Sequence, residues 1–307
     1  GDLRVNAFGI VALAAVAASV FTQAVSGANP AFHIPAYTFN SVWELPLYFG
    51  LGVLSGLSAA FYIRLHHFTR DIFDTWNAPR WFKPVAAGLA VSLVGIYLPQ
   101  VFGTGYATIE KILDGKPLSV TLLLSLALSR LVLTPICISG GFHGGVFAPA
   151  LFSGASLGGA YGLVAKQVFP SLNISPPAFA MVGMAAVLAG TIHAPITSFM
   201  LLFEMTHDYR IILPLIAAVN VSLFLSWHLQ HDSVYTLGLA RKGIRLQRGR
   251  DVGVLETITV DKVMETEIDT LRESDSLTVA IDLLMQKRYH CLPVLNDDGE
   301  LTGIITV

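Results

Sequence analysis

Low-charge apolar runs follow one another along most of the chain, at about 8–23, 44–63, 84–103, 117–139, 146–165, 178–203 and 211–227. Several are long enough to cross a bilayer or to enter it as tilted or interrupted helices. The pattern predicts an all-α polytopic bundle with interrupted and re-entrant helices, although runs do not translate one for one into crossings. Asn29 to Trp43 is a polar and aromatic connection, with Tyr37, Trp43 and Tyr48 placed as interface aromatics. His66 and His67 end the second span and read as interfacial, not as a metal pair. Ile109 to Leu113 is a short amphipathic piece within a connection. After Arg250 the pattern changes. Leu277, Ala280, Ile281, Leu284 and Met285 recur on one face of a helix predicted over 276–288, with Ser274 or Ser276 as its cap. Two strands, Cys291–Leu295 and Leu301–Val307, meet through the turn Asn296-Asp297-Asp298-Gly299. That tail is a small soluble α/β unit.

Composition agrees with the pattern: 53% hydrophobic against 13% charged residues is a membrane balance. The formal net charge of −2 identifies no partner, and nucleic acid is not one that the sequence suggests. Arg241, Lys242, Arg245, Arg248 and Arg250 follow the last apolar run, which puts that end in the cytoplasm by the positive-inside tendency. A solvated linker or a lipid-headgroup contact is compatible with the same orientation. Cys137 and Cys291 form no CxxC and read as plain thiols. The chain opens on Gly1-Asp2-Leu3-Arg4 and closes within a strand-like run, so it reads as a fragment of a longer protein.

The candidate chemistry lies where apolar runs break. Gly140-Gly141-Phe142-His143-Gly144-Gly145-Val146-Phe147-Ala148-Pro149 interrupts one run and opens another. Glycines allow the chain to turn, and Pro149 suits the first turn of the helix that follows. The amides of Val146 and Phe147 are then unpaired at a helix N-terminus, where N–H groups and the helix dipole favour an anion. Broken helices aimed into a membrane protein are a recurrent transporter device. The competing reading is that the glycines, Gly154 included, only let helices pack closely. His193-Ala194-Pro195-Ile196-Thr197 breaks the sixth run. Arg130 must face protein or an aqueous vestibule and reads first as a structural arginine satisfied by carbonyls or a carboxylate. Glu204 is an intramembrane carboxylate by position, but its neighbours favour a helix-end role over a proton carrier. Asn220 is expected to hydrogen-bond between helices.

Taken in order, these motifs resemble the C-terminal half of the membrane domain of CLC-type chloride channels and chloride/proton antiporters, followed by part of a CBS domain. Gly145-Val146-Phe147-Ala148-Pro149 is similar to the family's GxFxP element. Met184 to Leu188, His193 to Thr197, Leu202 to Thr206 and Tyr209 to Pro214 are similar to its late helices. Tyr235, in Asp232-Ser233-Val234-Tyr235, stands where the family has an anion-coordinating tyrosine. The resemblance implies three parts: a transmembrane region over 1–240, a basic cytoplasmic linker over 241–256, and a first CBS motif over 257–307 that is half of a pair. It implies chloride as the transported ion, bound by the amides of Val146 and Phe147 and the hydroxyl of Tyr235, with Gly144, Gly145 and Pro149 supporting the loop. No cofactor is required. Protons are a second transported species if the protein is an antiporter. A homodimer in membrane lipid is implied, joined through the first helix and the helices near 194–205 and 211–229.

The family's serine-bearing GSGIP loop and GxEGP loop do not occur in this sequence. Lys262-Val263-Met264 opens the CBS motif and Gly303-Ile304-Ile305-Thr306 closes it. Adenine nucleotide binds some complete CBS pairs, and a single motif does not support that claim. Two other readings stand beside transport. One is an inactive structural fragment. The other, an intramembrane metalloprotease with a CBS tail, lacks the HExxH that it needs.

Overall fold

The computed structural model describes residues 5–27, 32, 42–206, 211–240, 264, 268–287 and 290–306. The chain forms two compact units, residues 1–250 and 251–307. The first contains α1 (Val5–Ser26), α2 (Leu45–Thr75), α3 (Phe82–Tyr97), α4 (Tyr106–Leu113), α5 (Val120–Ser139), α6 (Phe147–Val168), α7 (Pro176–Ile192), α8 (Pro195–Thr206), α9 (Ile212–Leu229) and the short α10 (Leu237–Ala240). Among the described residues α2, α5, α6 and α9 are long and apolar enough to cross a membrane.

At the centre is α7. Its side chains are buried without interruption from Ala178 to Thr191, which is what a helix apolar on every side requires. In a bilayer, lipid tails are as apolar as leucine, so close packing and interhelical hydrogen bonds have to hold such a helix in place. Both occur here. A Cβ on Gly154 would lie 2.3 Å from the Gly183 carbonyl oxygen, and one on Gly158 2.2 Å from that of Phe179, so the backbones of α6 and α7 touch. On the other side, Ser222 Oγ donates to the Ala186 carbonyl and Ser226 Oγ to that of Gly190, each at 2.7 Å, tying α9 to α7. The sixth apolar run is divided where expected: α7 ends at His193, whose φ of 57° is left-handed, and Pro195 starts α8.

Several sequence expectations are corrected. His66 and His67 are buried against protein, and α2 continues through them to Thr75 instead of ending there. Tyr48 is no interface aromatic: it is fully buried and stacks on Phe179 with ring centroids 4.1 Å apart. Asn220 spends its side-chain amide within its own helix, donating to the Ile216 carbonyl at 2.8 Å. The residues of the basic cluster at 241–250 lie outside the described residues.

The second unit is a three-stranded sheet in the order β1 (Leu271–Arg272), β2 (Cys291–Leu295), β3 (Leu301–Thr306), with α11 (Leu277–Lys287) between the first two strands in the chain. β1 is parallel to β2, with Leu271 paired to Val294, and β2 is antiparallel to β3. The hairpin turns at Gly299, whose φ is 83°. The face of α11 that packs is narrower than the sequence pattern predicts. Ala280 and Leu284 pack with Leu271 and Leu292, whereas Leu277 and Met285 are 67% and 78% exposed. The two-residue β1 is too short to carry a periodicity, which is why the pattern predicted only two strands.

Candidate functional site

The interruption between α5 and α6 is built from the end of one helix and the start of the next. The Gly140 amide donates to the Ile136 carbonyl at 2.8 Å, Gly141 to Ile138 at 3.2 Å and Phe142 to Cys137 at 3.0 Å, which closes the last turn of α5. Gly141 takes φ of 100°, a value side chains resist, and there the chain reverses. Val146, at φ −90° and ψ −11°, caps α6, and Pro149 is the third residue of that helix. The Ala150 amide donates to the Val146 carbonyl at 3.1 Å, and Pro149 has no N–H. The N–H groups of Val146, Phe147 and Ala148 therefore all precede the first bond of the helix, as geometry demands of an N-terminus. The approach to them is roomy: a Cβ on Gly144 or Gly145 would meet nothing within 4 Å. Gly154, by contrast, belongs to helix packing and not to this loop.

A second segment reaches the same place. Asp232 to Thr236 folds on itself: the Ser233 amide donates to Thr236 Oγ1 at 2.9 Å, and the Thr236 amide to Ser233 Oγ at 3.2 Å. The Val234 amide donates to the Thr191 carbonyl at 3.2 Å, anchoring the turn on the end of α7. Val234 and Val146 share one small buried cluster with Tyr62, Ile63 and Leu131. This cluster brings the turn that carries Tyr235 to the cap of α6. The Tyr235 side chain itself is 58% exposed. Tyr62 is the residue of this neighbourhood that sequence reasoning missed. It is 1% exposed and packs in the same cluster as Val146 and Val234. An aromatic inside a long apolar run carries no signal of its own, so only the fold could single it out.

Arg130 is buried, and part of its guanidinium finds a carbonyl. Its Nη2 donates to the Gly103 carbonyl at 2.5 Å, and its guanidinium lies 4.8 Å from the centre of the Phe152 ring. It fastens the turn before α4 to α5 and α6. Glu204 is exposed in the last turn of α8, and His207, Asp208 and Arg210 lie outside the described residues. Among the described residues no three His, Cys, Asp or Glu side chains converge as a metal site.

What this geometry offers is a group of neutral backbone donors at a break between two apolar helices. The chain belongs to the family whose model is described as "Voltage gated chloride channel", which matches residues 1–226, and a CBS domain matches residues 260–307. Chloride channel protein CLC-e of Arabidopsis thaliana is 32% identical over 98% of this chain and 49% of its own length. The H(+)/Cl(-) exchange transporter ClcA of Vibrio cholerae is 33% identical over 78% of this chain and 52% of its own. The crystal structure of a slow cyanobacterial Cl-/H+ antiporter is 28% identical, with a TM-score of 0.60, over 69% of this chain and 50% of that one. The chain thus spans about half the length of the curated relatives it matches.

Proposed function

We propose that this chain supplies half of a chloride pathway, in which the amides of Val146 and Phe147 and the hydroxyl of Tyr235 form part of a central anion site, with Gly144, Gly145 and Pro149 shaping the loop. The observation that carries this reading is the open amide group at the cap of α6, with the Tyr235 turn packed beside it through Val146 and Val234. Neutral donors suit the task. Several oriented dipoles can replace part of the hydration shell of chloride and still release the ion, which a lysine at the same point would hold more tightly. Phe147 adds an apolar wall, packing partly into the core. The same reading places the CBS-bearing tail in the cytoplasm and joins two copies in the membrane through α1, α8 and α9.

The names of the relatives divide between channel and proton-coupled exchanger. Simultaneous chloride efflux and proton movement, recorded in liposomes carrying the complete polypeptide under an imposed chloride gradient, tests the reading. Chloride flux is the expected result. Accompanying uphill proton flux in fixed ratio assigns an antiporter, and chloride alone assigns a channel. Absence of anion flux from a folded preparation overturns the proposal and leaves the glycines as packing residues.

A further inference from the structure

We propose that a cavity where α5, α6 and α7 end binds the phosphate headgroup of an anionic phospholipid. The cavity measures about 410 Å³, a size that encloses a small molecule or a headgroup. Its lining grades from buried to exposed. Leu123 is buried and Leu118 and Leu163 half-buried, while Lys116, Lys166 and Asn173 are exposed. An apolar wall leading to a cationic mouth is the lining that an amphiphile with a negative head would fit.

The charges select the head. Lys116 pairs with Asp114 at 3.1 Å, so it is partly neutralised. Lys166, in the last turn of α6, has no ion-pair partner among the described residues. Two ammonium groups and one carboxylate leave a net single positive charge, suited to one phosphate. The backbone contributes little here. Pro176 and Pro177 open α7 without N–H groups, and the next two amides, of Ala178 and Phe179, donate to the Ser175 carbonyl at 3.0 and 3.3 Å. Recognition must therefore come from side chains: the two lysines and Asn173, with the Ser175 hydroxyl, which makes no cap bond to its helix.

The lining selects the lipid over the free ion, because Leu118, Leu123 and Leu163 offer apolar contact that a free phosphate cannot use. The cavity lies between the start of α5 at Val120, the end of α6 at Val168 and the start of α7 at Pro176. At those helix ends long basic side chains stand beside apolar ones, a setting in which a lysine keeps its charged head among polar groups while its stem lies on apolar surface. Leu163, one turn before Lys166 on the same face of α6, is the cavity side chain on which the start of an acyl chain can lie.

The test is native mass spectrometry of the protein released from nanodiscs of phosphatidylcholine mixed with phosphatidic acid. The wild type is expected to retain phosphatidic acid in preference to phosphatidylcholine. Lys166→Ala and Lys116→Ala should each weaken that preference about tenfold, the loss of one charge-assisted contact. Leu163→Trp, which fills the cavity without changing its charge, should weaken it as well. Arg80→Ala removes an exposed basic residue outside the cavity and should leave the preference as it is. The two lysines are exposed, so their variants fold even if the tryptophan variant does not. Displacement of the lipid by inorganic phosphate at equal concentration overturns the lipid as occupant and assigns the free ion. Equal retention of phosphatidylcholine, or an unchanged preference in the Lys116→Ala/Lys166→Ala double variant, overturns the proposal.

Discussion

The first turns of α6 and α7 point the same kind of helix dipole at their surroundings and yet offer opposite chemistry. At α6 the cap is Val146, and three amides stand ahead of the first helical bond. At α7 the first two residues are prolines, and the amides that follow are taken by Ser175. A dipole alone therefore does not define an anion site; the supply of free N–H groups does. At α6 those groups are neutral and fixed in the backbone, which suits an ion that must come and go. Beside α7 the positive character is carried by lysine side chains, which suits a ligand that stays. The two starts share one frame, since Gly154 and Gly158 of α6 meet Gly183 and Phe179 of α7 backbone to backbone.

The largest expected effect breaks that frame. Gly158→Leu would drive a side chain into the Phe179 carbonyl oxygen, 2.2 Å from where its Cβ must sit. Because the obstacle is backbone, the helices must part, at a cost of at least about 3 kcal/mol, the upper end of overpacking effects. Thermal unfolding in detergent measures it. A wild-type midpoint would mean that α6 and α7 are not held as one piece.

A smaller and sharper test crosses the two regions. Tyr235→Phe removes one charge-assisted hydrogen bond to the anion, about 1.5 kcal/mol or some tenfold in chloride affinity by calorimetric titration. A bulky residue at Gly145 should weaken chloride further by filling the open approach to the amides. Lys166→Ala should leave chloride affinity unchanged. If both Tyr235→Phe and the Gly145 variant bind chloride like the wild type, the assignment of the α6 start fails. The smallest effect is Asn220→Ala, at under about 0.5 kcal/mol, since its amide bonds only its own helix at an exposed position. A loss of several times that amount in the same unfolding assay would reveal a partner for Asn220 on another copy of the chain.

How far the sequence could be read depended on the length over which a signal repeats. The broken run at His193 to Pro195, the start of α6 at Val146 and Phe147, and the hairpin at Asn296 to Gly299 were legible, because proline, glycine and turn residues act on the backbone where they stand. Arg130 was legible as a buried group needing an acceptor, though Gly103 as that acceptor was not. His66, Tyr48 and Tyr62 were misjudged or overlooked for a common reason. Whether a residue on an apolar helix meets lipid or protein depends on which neighbours pack against it, and a nearly uniform apolar run carries no moment to tell the two faces apart. The same holds for α11, whose apolar residues divide between a packed side and an exposed one.

The sequence by itself determined that this is a membrane protein of interrupted helices with a small α/β tail, and where its helices break, because hydropathy, proline and glycine operate through local backbone physics. Only the tertiary structure decided that the Tyr235 turn sits against the cap of α6, that Arg130 fastens a distant turn, and that two lysines fifty residues apart edge one cavity. Those are meetings between residues far apart in the chain. They follow from how helices settle on one another when close packing, and not the pattern along any one helix, selects the arrangement.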